Sequence, residues 1–176
     1  NIIDANDRKA IGYSTTAPDI YYNFHLGAEY KGIGLDAMFQ GVGRWTGFMT
    51  TNGLYRSAVA TNTLSQYLYE NSWSAERGNT ESALFPRLST TSNANNDLNS
   101  TLNMFDRSYI KLRYVELYYH LPKSLLNKLS VINNIKLYVR GTDLFTADHL
   151  DKADAASYGV AQPLTRSVQL GAALTF

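Results

Sequence analysis

The stretch SYIKLRYVELYYHLP, residues 108–122, decides the fold of this chain. Apolar and polar residues alternate in its second half, where the apolar side consists of Val115, Leu117, Tyr119 and Leu121. Alternation with a period of two is typical of a β-strand with two unlike faces. In the first half, Lys111 and Arg113 occupy the side that later becomes apolar. We therefore predict a strand over 108–121 whose first half projects beyond an apolar layer.

The same alternation continues in both directions from this stretch. It predicts four further strands, over residues 22–30, 33–45, 135–145 and 164–176. The first two are separated only by Lys31 and Gly32, which predicts a hairpin. Each of these strands has one apolar side and one polar or small side, so the sequence predicts an all-β protein with antiparallel neighbours.

The length of the predicted strands favours a transmembrane β-barrel. Strands of soluble proteins usually have about 5 or 6 residues, whereas a tilted membrane strand needs about 9 to 11. The polar sides also carry charges that a water-filled lumen accepts and a dry core does not. A soluble β-sandwich, as in an adhesin or a carbohydrate-binding domain, is the alternative. It requires that Leu26, Phe39, Leu117, Val139 and Leu170 converge in one dry interior.

Loop lengths and aromatic residues agree with a barrel. The connections 46–107 and 146–163 are long, as external loops are, whereas 31–32 and 122–134 are shorter, as periplasmic turns are. Aromatic girdles mark both membrane interfaces of such barrels. We expect the lower girdle to contain Tyr30, Tyr119 and Phe176, and the upper one Tyr22, Trp45 and Phe145.

Composition excludes several other classes of protein. Charged residues make up 18% of the chain and aromatic residues 12%, and there is no cysteine for a disulfide or a thiolate metal site. The formal net charge is +1 and the basic residues are scattered, which gives no reason to expect nucleic-acid binding. No apolar run is long enough for a membrane helix, and the residues from Asn1 onward lack the basic-then-apolar pattern of a signal peptide. We expect the chain to be part of a longer polypeptide.

Several strings resemble the final part of the SusC/RagA family of TonB-dependent outer-membrane transporters. Residues 108–122 are similar to a strand of that family, and Pro163–Phe176 resembles its ending. LYVRGTDLFT, residues 137–146, resembles another strand of the family, with Asp143 in place of its usual Asn. Pro86–Leu88 and Asp4–Arg8 also match positions of that family.

The resemblance implies a function and a set of partners. Family members are 22-stranded barrels, and this chain matches the last five strands, so the plug domain is absent from it. The implied function is TonB-dependent import across the outer membrane of a Gram-negative, Bacteroides-type bacterium. The implied partners are TonB, the barrel-assembly machinery and a SusD-like lipoprotein, in pairs that can dimerise. Family frequency favours oligosaccharides over peptides as substrates, and a plug-less porin is the alternative.

Two groups of residues are candidate sites near the ends of the chain. Phe176, preceded by apolar residues at alternate positions (Leu174, Ala172, Leu170), resembles the signal that the barrel-assembly machinery recognises. The alternative is an ordinary interface aromatic. Asp4 and Asp7 resemble the end of a calcium loop, because oxygen ligands at nearby loop positions suit calcium. The alternative is a capped polar turn without a metal.

The first long loop contains five aromatic residues that can stack on sugars or contact a lid protein: Tyr55, Tyr67, Tyr69, Trp73 and Phe85. The alternative is that these side chains only fold the loop. The histidines His25, His120 and His149 are far apart in sequence, and no motif of a hydrolase or nucleotide-binding enzyme is present. We therefore predict no enzymatic activity. Glu116 with Arg140 and Glu29 with Asp36 could pair as acid-base groups do, but facing charges are normal on the lumen wall of a barrel and do not indicate catalysis.

Overall fold

The computed structural model of the protein describes residues 4–50, 55–56, 64–127, 131–150 and 164–176. In these ranges the chain forms seven strands and two short helices, besides a single 3₁₀ turn at Ala5–Asp7. The strands are β1 (Ile20–Tyr30), β2 (Ile33–Gly43), β3 (Thr46–Phe48), β4 (Met104–Asp106), β5 (Tyr109–His120), β6 (Asn134–Asp148) and β7 (Ser167–Thr175). The helices are α1 (Gln66–Asn71) and α2 (Lys123–Leu126).

Five strands form one antiparallel sheet in the order β1-β2-β5-β6-β7. The β1-β2 hairpin turns at Lys31 and Gly32, whose φ angles are 51° and 83°. Positive φ at both central residues is the geometry of the two-residue hairpin turn that matches the twist of its strands. The all-β antiparallel fold predicted from the sequence is confirmed.

The two faces of the sheet differ as the alternation predicts. Tyr22, Phe24 and Leu26 in β1 lie opposite Gly41, Phe39 and Ala37 in β2, so their side chains share one face. The register carries this apolar face across the remaining strands. Large side chains that remain exposed on it include Phe24, Leu26, Leu35, Leu117, Leu137, Val139, Val168 and Leu170.

The apolar face does not close over a dry core. Leu170 is 81% exposed, and Leu26, Leu117 and Val139 are also exposed rather than packed together. Phe39 stacks on Phe24 of the neighbouring strand, with ring centroids 4.7 Å apart, along the sheet and not across a sandwich. Among the residues that the structure describes, this sheet therefore does not pack as one half of a sandwich. No helix in the described ranges is long and apolar enough to cross a membrane.

A β-bulge in β5 corrects one prediction. Met38 lies opposite Tyr114 and Phe39 opposite Leu112, so Arg113 is an extra residue in the β2-β5 ladder. An extra residue exchanges the two faces of the strand beyond it. Leu112 therefore joins the apolar face, and Lys111 lies on the polar one. The prediction that Lys111 and Arg113 continue the apolar side of a projecting strand was wrong.

The strands end close to the predicted bounds, with differences that have local causes. The second strand stops at Gly43 instead of residue 45, because Arg44 adopts a left-handed φ of 53°. Beyond that break, β3 and β4 pair with each other and extend the β2-β5 hairpin. The predicted loop 46–107 therefore contains a short ladder at its base, and α1 lies within it. Most of the predicted loop 146–163 lies outside the described residues.

Candidate functional site

The polar face of the sheet is organised around Glu116, at the middle of β5. Its side chain is 3% exposed, and Lys136 Nζ lies 2.6 Å from Oε1 while Arg140 Nη2 lies 2.6 Å from Oε2. Arg140 Nε also donates to Oε2 at 2.7 Å. Glu116 and Arg140 are directly opposite in the register, which confirms the predicted pair. One carboxylate thus holds two cations, so the cluster keeps a positive charge in excess.

Tyrosine rings flank these two cations. Lys136 Nζ lies 4.5 Å from the centroid of the Tyr118 ring, and the Arg140 guanidinium lies 5.3 Å from that of Tyr114 and 5.8 Å from that of Tyr138. A cation above an aromatic face is attracted by the ring quadrupole. Together the cations and rings form a basic aromatic surface, which we call the tyrosine-cation ladder (Tyr114, Glu116, Tyr118, Lys136, Tyr138 and Arg140).

Glycines make room for two of the rings. Gly34 lies opposite Tyr118 and Gly171 opposite Tyr138. A Cβ atom at Gly34 would lie 2.1 Å from the Tyr118 ring, and one at Gly171 would lie 2.4 Å from the Tyr138 ring. Both rings therefore lie flat over the neighbouring strand, a packing that covers strand glycines.

The β1-β2 side of the polar face is acidic. His25 Nε2 lies 2.8 Å from Asp36 Oδ1, and the Tyr118 hydroxyl donates to Glu29 Oε2 at 3.2 Å. His120 Nε2 lies 4.0 Å from the same oxygen of Glu29. Glu29 and Asp36 therefore have separate partners and do not form a carboxylate pair. Within the described residues, no group of three or more metal-ligating side chains is present.

The long loop, which we define as residues 49–103, has a small core of its own. Tyr55, Leu68 and Phe85 are buried together, and Tyr67 packs on Phe85 edge to face with centroids 5.8 Å apart. The Ser65 hydroxyl caps α1 by accepting a hydrogen bond from Leu68 N at 3.1 Å. Burial of Tyr55 and Phe85 favours the alternative that these residues fold the loop.

Three of the predicted contact residues keep accessible surface. Tyr69 is 50% exposed, and Tyr67 and Trp73 are half-buried. The Arg77 guanidinium lies 4.5 Å from the centroid of the Tyr69 ring, and its Nη2 donates to the Ser72 carbonyl at 2.7 Å. Ligand or lid-protein contacts of the five aromatic residues stay a prediction, and Tyr67, Tyr69 and Trp73 are the ones with accessible surface.

The two aspartates near the start of the chain form a capped turn. Asp4 N donates to Asp7 Oδ2 at 2.9 Å, and Asn6 N donates to Asp4 Oδ1 at 2.7 Å. Each carboxylate therefore satisfies a backbone donor of the 3₁₀ turn Ala5–Asp7, as capping residues do. This geometry favours the polar turn, and calcium binding there stays a prediction.

The residues of the predicted assembly signal lie on or beside β7. Leu170, Ala172 and Leu174 face the apolar side of the sheet, and Phe176 follows the last residue of the strand. In the part of the chain that the structure describes, β7 pairs with β6 on one edge only. The arrangement leaves an apolar edge strand, and recognition by the assembly machinery stays a prediction.

The fold and the polar face together define a class of protein: a segment of an antiparallel membrane β-barrel wall. No protein-family model matches the chain. Over 153 residues it is 29% identical to TonB-dependent receptor P3 of Formosa agariphila, a match that covers 86% of this chain and 14% of the receptor. The chain is thus similar in sequence to a small part of a TonB-dependent receptor.

Solved structures agree with that match. The chain is similar to the RagAB peptide importer in its open-open state (24% identity, TM-score 0.70) and closed-closed state (23%, 0.71). A structure of the RagAB peptide transporter gives 24% identity and a TM-score of 0.73. Each match covers 99% of this chain and 19% of the solved one. The predicted resemblance is confirmed: the chain is similar in sequence to part of a TonB-dependent receptor and has the fold of part of the RagAB transporter, and it spans less than a fifth of either protein.

Proposed function

We propose that this chain forms part of the wall of an outer-membrane transporter that imports nutrients with energy supplied through TonB. The observation that carries the proposal is the inverted burial of the sheet, in which Leu170 is exposed and the charged Glu116 is buried. A strand that faces hydrocarbon on one side and a polar lumen on the other has this distribution. The similarity to a TonB-dependent receptor supports active import over passive diffusion.

The imported substrate is an oligosaccharide or a peptide. Family frequency favours oligosaccharides, whereas the solved neighbours are described as a peptide importer. A SusD-like surface lipoprotein is the proposed partner on the outside of a Gram-negative cell, and Tyr69 and Trp73 of the long loop are the proposed contacts with it or with the ligand. The plug and the contact with TonB belong to parts of the polypeptide beyond these residues.

Uptake by cells that express the full-length polypeptide containing this chain tests the proposal. Fluorescent oligosaccharides and peptides are supplied to parent cells, to cells lacking the protein and to cells lacking TonB. We expect uptake of one substrate class to be lost in both deletions. Uptake that survives loss of TonB indicates the porin alternative. Recovery of the full-length protein in a detergent-free soluble fraction contradicts a barrel altogether.

Phe176 is the proposed end of the assembly signal, with Leu170, Ala172 and Leu174. Its support is the uniformly apolar face that β7 presents at Leu170, Ala172 and Leu174. Phe176→Ser in the full-length polypeptide is expected to lower its amount in the outer membrane, and Thr175→Ser is the matched control. Equal amounts of both variants indicate an ordinary interface aromatic.

A further inference from the structure

A polar cleft opens beside the bulges of β5 and β6, on the polar face of the sheet. We call it the outer cleft, and its polar lining consists of Lys111, Asp143, Thr146, Asp148 and Arg166. Its volume is about 290 Å³. This lies near the lower end of the range for small-molecule sites, at roughly 300 Å³. The cleft therefore suits one terminal group or one sugar ring rather than a whole oligomer.

Among the described residues, the charges around the outer cleft leave one cation, Arg166, without a protein partner. Arg113 Nη1 lies 2.8 Å from Asp143 Oδ1, and Leu150 N donates to Asp148 Oδ1 at 2.9 Å. Lys111 is only 2% exposed, so its side chain is a buried part of the cleft lining. Arg166 is exposed, and it forms no hydrogen bond or ion pair with any residue in the described ranges. Its guanidinium is thus available to an anion that enters the cleft.

Charge is unevenly distributed across the polar face, and the cleft lies on the basic side. The strands β1 and β2 carry Glu29 and Asp36 and no lysine or arginine. On the other side, β5 and β6 carry three carboxylates (Glu116, Asp143 and Asp148) and four cations (Lys111, Arg113, Lys136 and Arg140), and Arg166 lies just before β7. A wall with one sign of charge in excess concentrates ligands of the opposite sign. The tyrosine-cation ladder continues this basic side along the sheet.

We propose that the outer cleft binds a carboxylate of the transported ligand, with Arg166 as its main donor. This rests on the proposed import function and narrows its substrate class to acidic ligands. The planar guanidinium matches the two oxygens of a carboxylate and donates to both. Asp143 and Asp148 disfavour a doubly charged anion more than a singly charged one. The carboxylate is either the C-terminus of a peptide or the acid group of a uronic sugar.

Binding to the purified full-length polypeptide in detergent tests the proposal. The probes are N-acetyl-trialanine against N-acetyl-trialanine amide, and trigalacturonate against its methyl ester, measured by titration calorimetry. We expect the acid of one pair to bind about tenfold more tightly than its neutral analogue, since hydrogen bonds to charged groups contribute at least that much. Preference for the peptide acid identifies a peptide C-terminus, and preference for trigalacturonate identifies a uronate.

Arg166→Gln is expected to remove the preference for the acid while binding of the neutral analogue stays within about twofold of the parent value. Arg166→Lys should keep part of the preference. Arg8→Gln is the matched control, because Arg8 is exposed and is not among the lining residues of the cleft. Gel mobility with and without heating confirms that each variant is folded.

Two results overturn the proposal: neither acid is preferred by the parent protein, or Arg166→Gln keeps the full preference. Either result leaves the import function intact if uptake still depends on TonB. Loss of TonB dependence in the uptake assay instead contradicts the import function, whatever the calorimetry shows.

Discussion

The five-stranded sheet and the long loop place their apolar side chains by opposite rules. In the loop, Leu68 is fully buried and Phe85 packs beside it, as in a protein surrounded by water. In the sheet, leucines and valines are exposed while Glu116 is covered. Both regions belong to one chain, so the difference reflects their surroundings. The loop has the burial pattern of a region surrounded by water, and the apolar face of the sheet has that of a surface in contact with hydrocarbon.

The free energy forgone by exposing the apolar face to water shows that water is not its natural surroundings. Burying one large apolar side chain contributes about 1.5–3 kcal/mol, and roughly half of that is forgone when the side chain is half exposed to water. Eight such residues on the apolar face (Phe24, Leu26, Leu35, Leu117, Leu137, Val139, Val168 and Leu170) would forgo about 10 kcal/mol, which is comparable to the whole stability of a domain. A lipid environment removes this deficit.

The largest effect is expected from a charge on the apolar face. Val168 lies in the row of Gly141, midway between the rows of Tyr22 and Tyr30. Val168→Lys in the full-length polypeptide should therefore lower the free energy of unfolding by about 2–4 kcal/mol, the cost of a cation near the bilayer midplane. Urea unfolding in liposomes measures it. Ser167→Lys, one residue away on the polar face, is the control, and equal losses would contradict a lipid-facing side.

A smaller decrease in the free energy of unfolding is expected when the charge of Glu116 on the polar face is removed. Glu116→Gln leaves Lys136 and Arg140 without their shared carboxylate, and we expect a loss of about 2 kcal/mol, since both cations can still reach water in the lumen. The same unfolding assay measures it. Glu81→Gln changes an exposed loop glutamate and should have no effect. A loss of stability no larger than that of the control would mean that the tyrosine-cation ladder does not stabilise the wall.

Two substitutions at the bulge residue Asp143 separate the effect of backbone conformation on stability from the effect of the ion pair, and the expected difference between them is about 1 kcal/mol. Asp143 has a φ of 52° and accepts a hydrogen bond from Arg113 Nη1 at 2.8 Å. Asn tolerates left-handed backbone nearly as well as Asp, whereas Ala costs about 1 kcal/mol there. Asp143→Ala should therefore lower stability more than Asp143→Asn in urea unfolding. Equal losses in both variants would assign the whole effect to the ion pair.

The sequence predicts the faces of β1 and β2 well because their alternation is uninterrupted. It predicted β5 poorly, although Ile110 and Leu112 are even-numbered and Val115 and Leu117 odd-numbered, which is the signature of an extra residue between them. The same break in alternation also fits a strand that leaves the membrane. Only the register of the neighbouring strands separates these two interpretations.

The sequence predicted contacts between residues directly opposite each other on adjacent strands, and it missed contacts that run diagonally or join three strands. Glu116 and Arg140 were paired correctly because adjacent lumen strands place charges opposite each other. Lys136 was missed as a partner of Glu116, since it lies opposite His120 and reaches the carboxylate diagonally. The outer cleft joins residues from β5, β6 and the approach to β7, so no single stretch of sequence reveals it.

The smallest effect on the sheet is expected from the core of the long loop. Phe85→Ala removes a buried ring next to Leu68 and Tyr67 and should destabilise the loop by about 3–5 kcal/mol locally. The sheet does not depend on that core, because the β3-β4 ladder separates the loop from β2 and β5. Limited proteolysis should therefore cleave the loop faster, while urea unfolding of the barrel stays unchanged. Leu84→Ala, an exposed neighbour, is the control. A shift of the barrel transition by Phe85→Ala would show that the two regions fold as one unit.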